Sequence, residues 1–182
     1  MTDSAATDIP PLASLPLVPY LDDSGQLPDL GPGVIGVYAI FDQAQTLQFV
    51  GYSRDVALSL KQHLVRQPHQ CYGVKWHAIA RPQRSHLEAI QAAWIREHGS
   101  TPPGNGAEAA QWAPAIDIKP YLTPAEQQQY AQAEELERSK LLKAVARRVE
   151  TEVLASLASR GVQVSLRFDP KAKEKGLLQL KG

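Results

Sequence analysis

Gly33-Val34-Ile35-Gly36-Val37-Tyr38-Ala39-Ile40-Phe41-Asp42, followed by Leu47-Gln48-Phe49-Val50-Gly51-Tyr52-Ser53-Arg54-Asp55, decides how this chain folds. Two runs rich in β-branched and aromatic residues flank Asp42-Gln43-Ala44-Gln45-Thr46, which predicts a β-hairpin with a longer loop. Each run carries a ring and a glycine. Two readings of the rings stand side by side. Adjacent strands favour aromatic pairs that pack a sheet face. The same rings could instead hold a phosphate beside a nucleophile. Gly36 and Gly51 fit close backbone approach better than phosphate binding.

Outward from the hairpin the pattern turns helical. Asp55 is a candidate N-cap, and Val56, Leu60, His63 and Leu64 recur at helical spacing, which predicts a helix over residues 55–66. Val74 to Ala80 alternates like a third strand. Ser85-His86-Leu87-Glu88 has the form of a capping box and predicts a helix to about His98, with Leu87, Ile90, Trp94 and Ile95 on its apolar stripe. Gly99 to about Pro120 reads as loop. Thr123-Pro124-Ala125-Glu126 is a second capping box, with proline at the first helical position. From there one helix is expected to run to about Ser159, where Gly161 stops it. Val162 to Phe168 alternates and reads as a last strand.

Before the hairpin, residues 1–32 form a lead broken by Pro10, Pro11, Pro16, Pro19, Pro28 and Pro32. These prolines prevent regular helix, and Asp22-Asp23-Ser24-Gly25 reads as a turn. Leu15, Leu17, Val18 and Tyr20 could pack on the domain, or the lead could be a free tail. The expected layout is therefore an extended lead (1–32), a hairpin domain (33–112), a helix-and-strand extension (113–170) and a basic tail (171–182). The fold class is α/β: a small mixed or antiparallel sheet flanked by helices, with a long C-terminal helix and a final strand. Its sheet is expected to take the hairpin, the third strand and Val162–Phe168.

Totals bound the function. The chain has 182 residues and zero formal net charge, whereas a protein built mainly to grip nucleic acid usually carries a basic excess. Six acids precede the first basic residue, Arg54, and residues 54–98 hold seven Lys/Arg against three acids. Only this middle segment could face phosphates, through Arg54, Lys61, Arg66, Lys75, Arg81, Arg84 and Arg96. A solvated face is the plainer reading of those charges. No apolar run is long enough to span a membrane. The N-terminus lacks the basic start and apolar core of a signal peptide, and the single cysteine, Cys71, excludes an internal disulfide. A cytoplasmic, reducing setting is expected. The histidines show no metal-ligand spacing. Trp76, Trp94 and Trp112 fit core roles better than base stacking.

Gly36-Val37-Tyr38 followed by Phe49-Val50-Gly51 resembles the paired signature of the GIY-YIG nuclease family. With the Cys71 region, Ala93-Trp94-Ile95-Arg96-Glu97-His98 and Pro102-Pro103-Gly104-Asn105, the chain looks most like the head domain of plastid monothiol glutaredoxins, over residues 34–106. No glutaredoxin active-site cysteine follows residue 71, so the resemblance implies a stand-alone head of a cyanobacterial type. It also implies metal-assisted phosphodiester hydrolysis, with two tyrosines, an arginine, a metal-binding glutamate and a bracing asparagine.

Carried over residue by residue, the resemblance keeps Tyr38 and Asn105. Phe49 stands for the second tyrosine and lacks its hydroxyl. Ser59 stands at the arginine position and Gln91 at the glutamate position. Both charged groups are gone, and one preorganised charge-stabilising donor alone is worth about 10²–10³ in rate. Glu88, three residues before Gln91, is the possible substitute carboxylate. Arg54, Lys61 and His63 are candidate phosphate contacts.

The expected function is thus a degenerate domain that binds a protein or nucleic-acid partner with little or no nuclease activity. The alternative is a divalent-metal DNA endonuclease built on Tyr38, Glu88 and Asn105. No cofactor is expected under the first reading, and Mg²⁺ or Mn²⁺ under the second. An unknown protein partner would use the termini or the long helix. Leu177, Leu178 and Leu180 in the basic tail form either a docking peptide or a plain strand or disordered end. Cys71 reads as a plain thiol, with a regulatory disulfide as the other possibility.

Overall fold

The computed structural model describes residues 9–182. The first eight residues of the proline-rich lead lie outside them. The chain divides into two compact units, residues 1–113 and 114–182.

In the first unit, β1 (Val18–Pro19), β2 (Gly36–Phe41), β3 (Leu47–Ser53) and the later β4 (Gly73–Ala78) form one four-stranded sheet in the order β1-β4-β2-β3. Every pairing is antiparallel. The hairpin expected from the sequence is β2–β3. Its turn is closed by the Asp42 carboxylate, which accepts from the Thr46 N–H at 2.9 Å, and by Gln45 at φ 63°. Helix α1 (Val56–Arg66) follows β3, and the Asp55 carboxylate caps it by accepting from the Leu58 N–H at 3.1 Å.

Helix α2 (Arg84–His98) begins two residues earlier than the expected capping box allows, and no side chain caps it. Ser85 therefore sits inside the helix, and Glu88 pairs with Arg84 one turn back instead of reaching the helix start. Gly99 ends α2 in the left-handed conformation, φ 90°. The stretch read as loop holds a short helix, α3 (Ala109–Trp112).

The sheet lies between helices. Val37, Ala39, Leu47 and Val50 pack with Leu87, Ile90 and Trp94 of α2. Period-two alternation turns Tyr38 and Phe49 to the opposite face, where their rings meet His63 of α1. Covered on both faces, β2 is buried throughout except at Phe41, so its sequence shows no polar–apolar alternation.

The lead packs on the domain. Leu12 is buried, Val18 pairs with Val74, and Tyr20 is fully buried with its hydroxyl donating to the Leu60 carbonyl. The Glu97 carboxylate accepts from the N–H groups of Leu12 and Ala13, both at 2.8 Å, and Trp94 Nε1 donates to the Pro10 carbonyl.

In the second unit, β5 (Ile116–Asp117) pairs with the later β6 (Leu177–Leu178). The helix expected to run unbroken to Ser159 is two: α4 (Pro124–Gln132), opened by the Thr123–Glu126 capping box, and α5 (Glu135–Ser159). The chain turns extended at Ala133 and Glu134, and Arg138 covers the vacated end of α4 by donating to the Tyr130 and Ala131 carbonyls. Leu142, Val145, Ala146 and Val149 of α5 pack with Ile118, Leu122 and Leu178.

Residues 162–168 do not form the expected last strand or join the first unit's sheet. Only Phe168 is bridged, to Leu180. The final strand is instead β6. A short helix, α6 (Pro170–Glu174), stands where a free basic tail was one possibility.

Candidate functional site

The α1-facing side of the hairpin carries a cluster of rings. Tyr38 stands opposite Gly51 in the β2–β3 register, while Ile40 stands opposite Phe49. Tyr38 and Phe49 are therefore diagonal neighbours, with ring centroids 6.1 Å apart. Gly51 leaves the space that both rings use. A Cβ there would lie 2.5 Å from Phe49 Cε1 and 2.7 Å from the Tyr38 hydroxyl. At Gly36 the constraint is backbone: a Cβ would come 2.4 Å from the His77 carbonyl oxygen. Both glycines serve close approach.

His63 projects from α1 into this cluster. The Tyr38 hydroxyl lies 2.8 Å from its Nε2, and its ring centroid is 4.6 Å from that of Phe49. Burial, reinforced by the Arg66 charge, pushes the His63 pKa down to about 3. The imidazole is neutral at pH 7, so a single ring nitrogen carries the hydrogen and Nε2 shares one hydrogen bond with the phenol. Nδ1 has no hydrogen-bond partner among the described residues, nor does the Trp112 indole nitrogen; both are buried. Phe49 stacks on Trp112 with centroids 5.5 Å apart. Burial raises the Tyr38 pKa above the ordinary phenol value.

Tyr38, Phe49 and His63 line a cleft of about 290 Å³, together with Ser59, Gln91 and Arg66. The structure thus brings Tyr38, Phe49, Ser59 and Gln91 to one place. Asn105 works beneath it. Its side-chain amide accepts from the Val50 N–H and donates to the Val50 carbonyl, both at 2.8 Å, and Gln91 Nε2 donates to the same carbonyl at 2.9 Å. The Ser59 hydroxyl donates to Ser53 Oγ at 2.8 Å, tying α1 to the end of β3.

Arg66 is the cleft residue that the position-by-position reading missed. It lies seven residues after Ser59, two helical turns on, and so shares its face of α1. Its Nη1 donates to the carbonyls of Trp112 and Ala113 at 3.1 and 2.8 Å. Nε and Nη2 have no hydrogen-bond partner among the described residues. Partial burial lowers its pKa from the usual guanidinium value.

Glu88 does not join the cleft. Its carboxylate is exposed and accepts from Arg84 Nε at 2.7 Å and from the Tyr52 hydroxyl at 3.1 Å. Those two hydrogen bonds, Arg84's the larger, hold its pKa below the ordinary carboxylate range. Arg54 is exposed and lines a separate hollow with Arg84 and Tyr52. Lys61 is half-buried and His63 is buried inside the ring cluster. Trp94 and Trp112 are fully buried, and Cys71 is a buried thiol.

The donor set in the cleft does not suit a hard divalent cation, which needs anionic oxygen. Its lining holds no carboxylate, and no group of three His, Cys, Asp or Glu residues among the described residues could hold a metal ion. The residues expected to dock a partner are placed differently too. Leu178 and Leu180 are buried, at 1% and 6% exposure, and Leu178 belongs to the second unit's own core. Their apolar surface is already covered, which leaves half-buried Leu177 as the most accessible of the three.

Over 78 residues the chain is 41% identical to the chloroplastic bifunctional monothiol glutaredoxin-S16 of Arabidopsis thaliana. That stretch covers 41% of this chain and 27% of the relative. No family model matches the sequence. The similarity to a plastid monothiol glutaredoxin agrees with that part of the resemblance and says nothing of a GIY-YIG nuclease. No helix among the described residues is long and apolar enough to cross a membrane.

Proposed function

We propose that the hairpin unit is a degenerate GIY-YIG-fold domain that binds a protein or nucleic-acid partner and has little or no nuclease activity. The observation that carries this reading is the lining of the cleft: among the described residues, one guanidinium, Arg66, and no carboxylate. A site of that charge attracts an anionic group and has no means of anchoring a divalent cation beside it. Its other titratable groups are poorly matched to proton transfer. Tyr38 is held neutral by burial, and a histidine with a pKa of about 3 is a weak base at pH 7. Ser59, Gln91 and the free edge of Arg66 can still donate hydrogen bonds to a phosphate or carboxylate.

The second reading is a divalent-metal-dependent DNA endonuclease, using Mg²⁺ or Mn²⁺. The retained Tyr38 hydroxyl on the cleft wall, 2.8 Å from His63 Nε2, favours it. The exposed Glu88–Arg84 pair weighs against it, since the substitute carboxylate is already engaged outside the cleft.

Incubation with supercoiled plasmid and Mg²⁺ or Mn²⁺ separates the two, with Tyr38→Phe as the control. The binding reading expects no nicking above background in either protein. Nicking by the wild type that vanishes in Tyr38→Phe would overturn it. In parallel, fluorescence anisotropy with single-stranded and forked DNA tests the anionic-ligand role. Arg66→Gln is expected to weaken binding about tenfold and to flatten its salt dependence by about one phosphate contact.

A further inference from the structure

Residues Val162–Phe168 present a strand without a sheet. The sequence alternates Val, Gln, Val, Ser, Leu, Arg, Phe, and burial follows it: Val162, Val164, Leu166 and Phe168 are half-buried, while Gln163, Ser165 and Arg167 are exposed. That alternation is the pattern of a strand with one face on a core. Pairing covers one end only. The Asp169 N–H donates to the Gln179 carbonyl at 2.9 Å, and the Lys181 N–H donates to the Arg167 carbonyl at 2.7 Å, around the Phe168–Leu180 bridge. In that antiparallel pattern the odd-numbered residues aim their backbone groups at the 179–181 segment. Of the even-numbered ones, Val162 donates its N–H to the Leu157 carbonyl at 3.1 Å, and Val164 and Leu166 aim away from the 179–181 segment, along an outer edge. The backbone N–H and C=O groups of Val164 and Leu166 have no hydrogen-bond partner among the described residues.

We propose that this outer edge pairs with the same edge of a second copy of the chain, forming an antiparallel two-stranded ladder about a twofold axis at Ser165. The register is self-complementary. Val164 faces Leu166 of the partner, and the two exchange both backbone hydrogen bonds. Val162 faces the partner's Phe168, a pairing of β-branched and aromatic side chains that stabilises sheets. Gln163 faces the partner's Arg167, so no like charges meet. A twofold interface requires this kind of self-matching surface. An open edge of alternating residues is also the usual template for strand addition. The formal net charge of zero leaves little long-range repulsion between copies. A ladder this short buries little area, so the dimer is expected to be weak and concentration-dependent.

Light scattering coupled to size exclusion, over about a hundredfold dilution series reaching high micromolar protein, reads the association directly. A dimer that dissociates on dilution is expected. Val164→Pro removes one edge N–H from each copy, and the dimer should weaken by about thirty-fold. Because that variant could fold poorly, Ser165→Cys supplies an independent test. At the proposed axis the two Cα atoms lie about 4.5 Å apart in a non-hydrogen-bonded pair, within disulfide reach. Under mild oxidation with diamide, Ser165→Cys should form a covalent dimer far faster than Thr151→Cys, an exposed site on α5. The proposal is overturned by a monomer at every concentration, by a dimer that Val164→Pro leaves unchanged, or by equal cross-linking of the two cysteine variants.

Discussion

The side-chain amide of Asn105 pairs with the backbone of Val50 as a neighbouring strand would, accepting from its N–H and donating to its carbonyl at 2.8 Å each. The position matters because β3 is an edge strand of the sheet. Its middle would otherwise present an unpaired N–H donor, which invites strand addition and costs free energy when half-buried. A single asparagine after α2 therefore seals the sheet beside the cleft and fixes the wall from which Phe49 projects.

Replacing Asn105 tests that role. Asn105→Ala strands the Val50 N–H, while Gln91 Nε2 still serves the carbonyl. A loss of about 1–3 kcal/mol in unfolding free energy is expected by urea denaturation. Asn105→Asp keeps the acceptor and should lose less. Equal stability of Asn105→Ala and wild type would show that the pairing is incidental.

The two glycines of the hairpin should respond unequally. Alanine at position 36 would meet the carbonyl oxygen of His77 at 2.4 Å, and strand backbone yields little. Alanine at position 51 would meet the rings of Phe49 and Tyr38, which can swing at some cost. Gly36→Ala is expected to cost roughly 3 kcal/mol or more, and Gly51→Ala about 1–3 kcal/mol. Only Gly51→Ala should shift the near-ultraviolet circular dichroism of a still-folded protein, because it moves the ring cluster.

His63 makes stability fall in mild acid. Burial holds its folded pKa near 3, below the unfolded value of 6.5. As pH drops, the unfolded chain takes up the proton first and is favoured. The stability is whole above about pH 7 and is lost progressively from 6.5 down to 3. Between pH 7 and pH 5 the loss attributable to this group is roughly 2 kcal/mol. His63→Gln can still accept from Tyr38 but has no charge to gain. Its unfolding free energy should fall less between pH 7 and pH 5, and parallel curves for the two proteins would remove His63 as the cause.

The parts of this fold legible in the sequence are those with local signals. The hairpin declares itself by a polar turn between β-branched runs, α1 by Asp55 and an apolar stripe, and α4 by a capping box that forms as spelled. Nothing local announces β1, because two residues, one of them Pro19, look like lead. Its pairing with β4 is a tertiary event. The α4–α5 break lacks glycine or proline and is held by Arg138 reaching back to carbonyls. Val162–Phe168 has the alternation of a strand but, beyond the Phe168–Leu180 bridge, no paired strand among the described residues, and alternation alone cannot supply one. In the cleft, the aligned positions led to Tyr38, Phe49, Ser59 and Gln91. Arg66 stood out only as one of seven basic residues that could face phosphates, because the resemblance puts the arginine at position 59. The two-turn spacing on the same helix face was the available signal.

Charge restoration asks whether the missing groups alone separate this cleft from a phosphodiester-cleaving one. Gln91 lines the cleft, and its one backbone hydrogen bond, to the Val50 carbonyl, is duplicated by Asn105. Gln91→Glu therefore places a carboxylate in the cleft lining that carries Tyr38, turned off the Val50 carbonyl it can no longer donate to, without orphaning the strand. Mn²⁺ affinity measured by calorimetry should appear in Gln91→Glu where the wild type has little. Ser59→Arg adds a guanidinium on the face of α1 that already carries Arg66, at the cost of the Ser53 hydrogen bond. Nicking of supercoiled plasmid by the double variant should exceed that of Gln91→Glu alone by about 10²–10³ and should disappear on adding Tyr38→Phe. If the double variant binds Mn²⁺ and folds normally yet never nicks, the defect lies beyond charge: the neutral, buried Tyr38–His63 pair cannot pass on a proton, and the cleft is a binding site by construction.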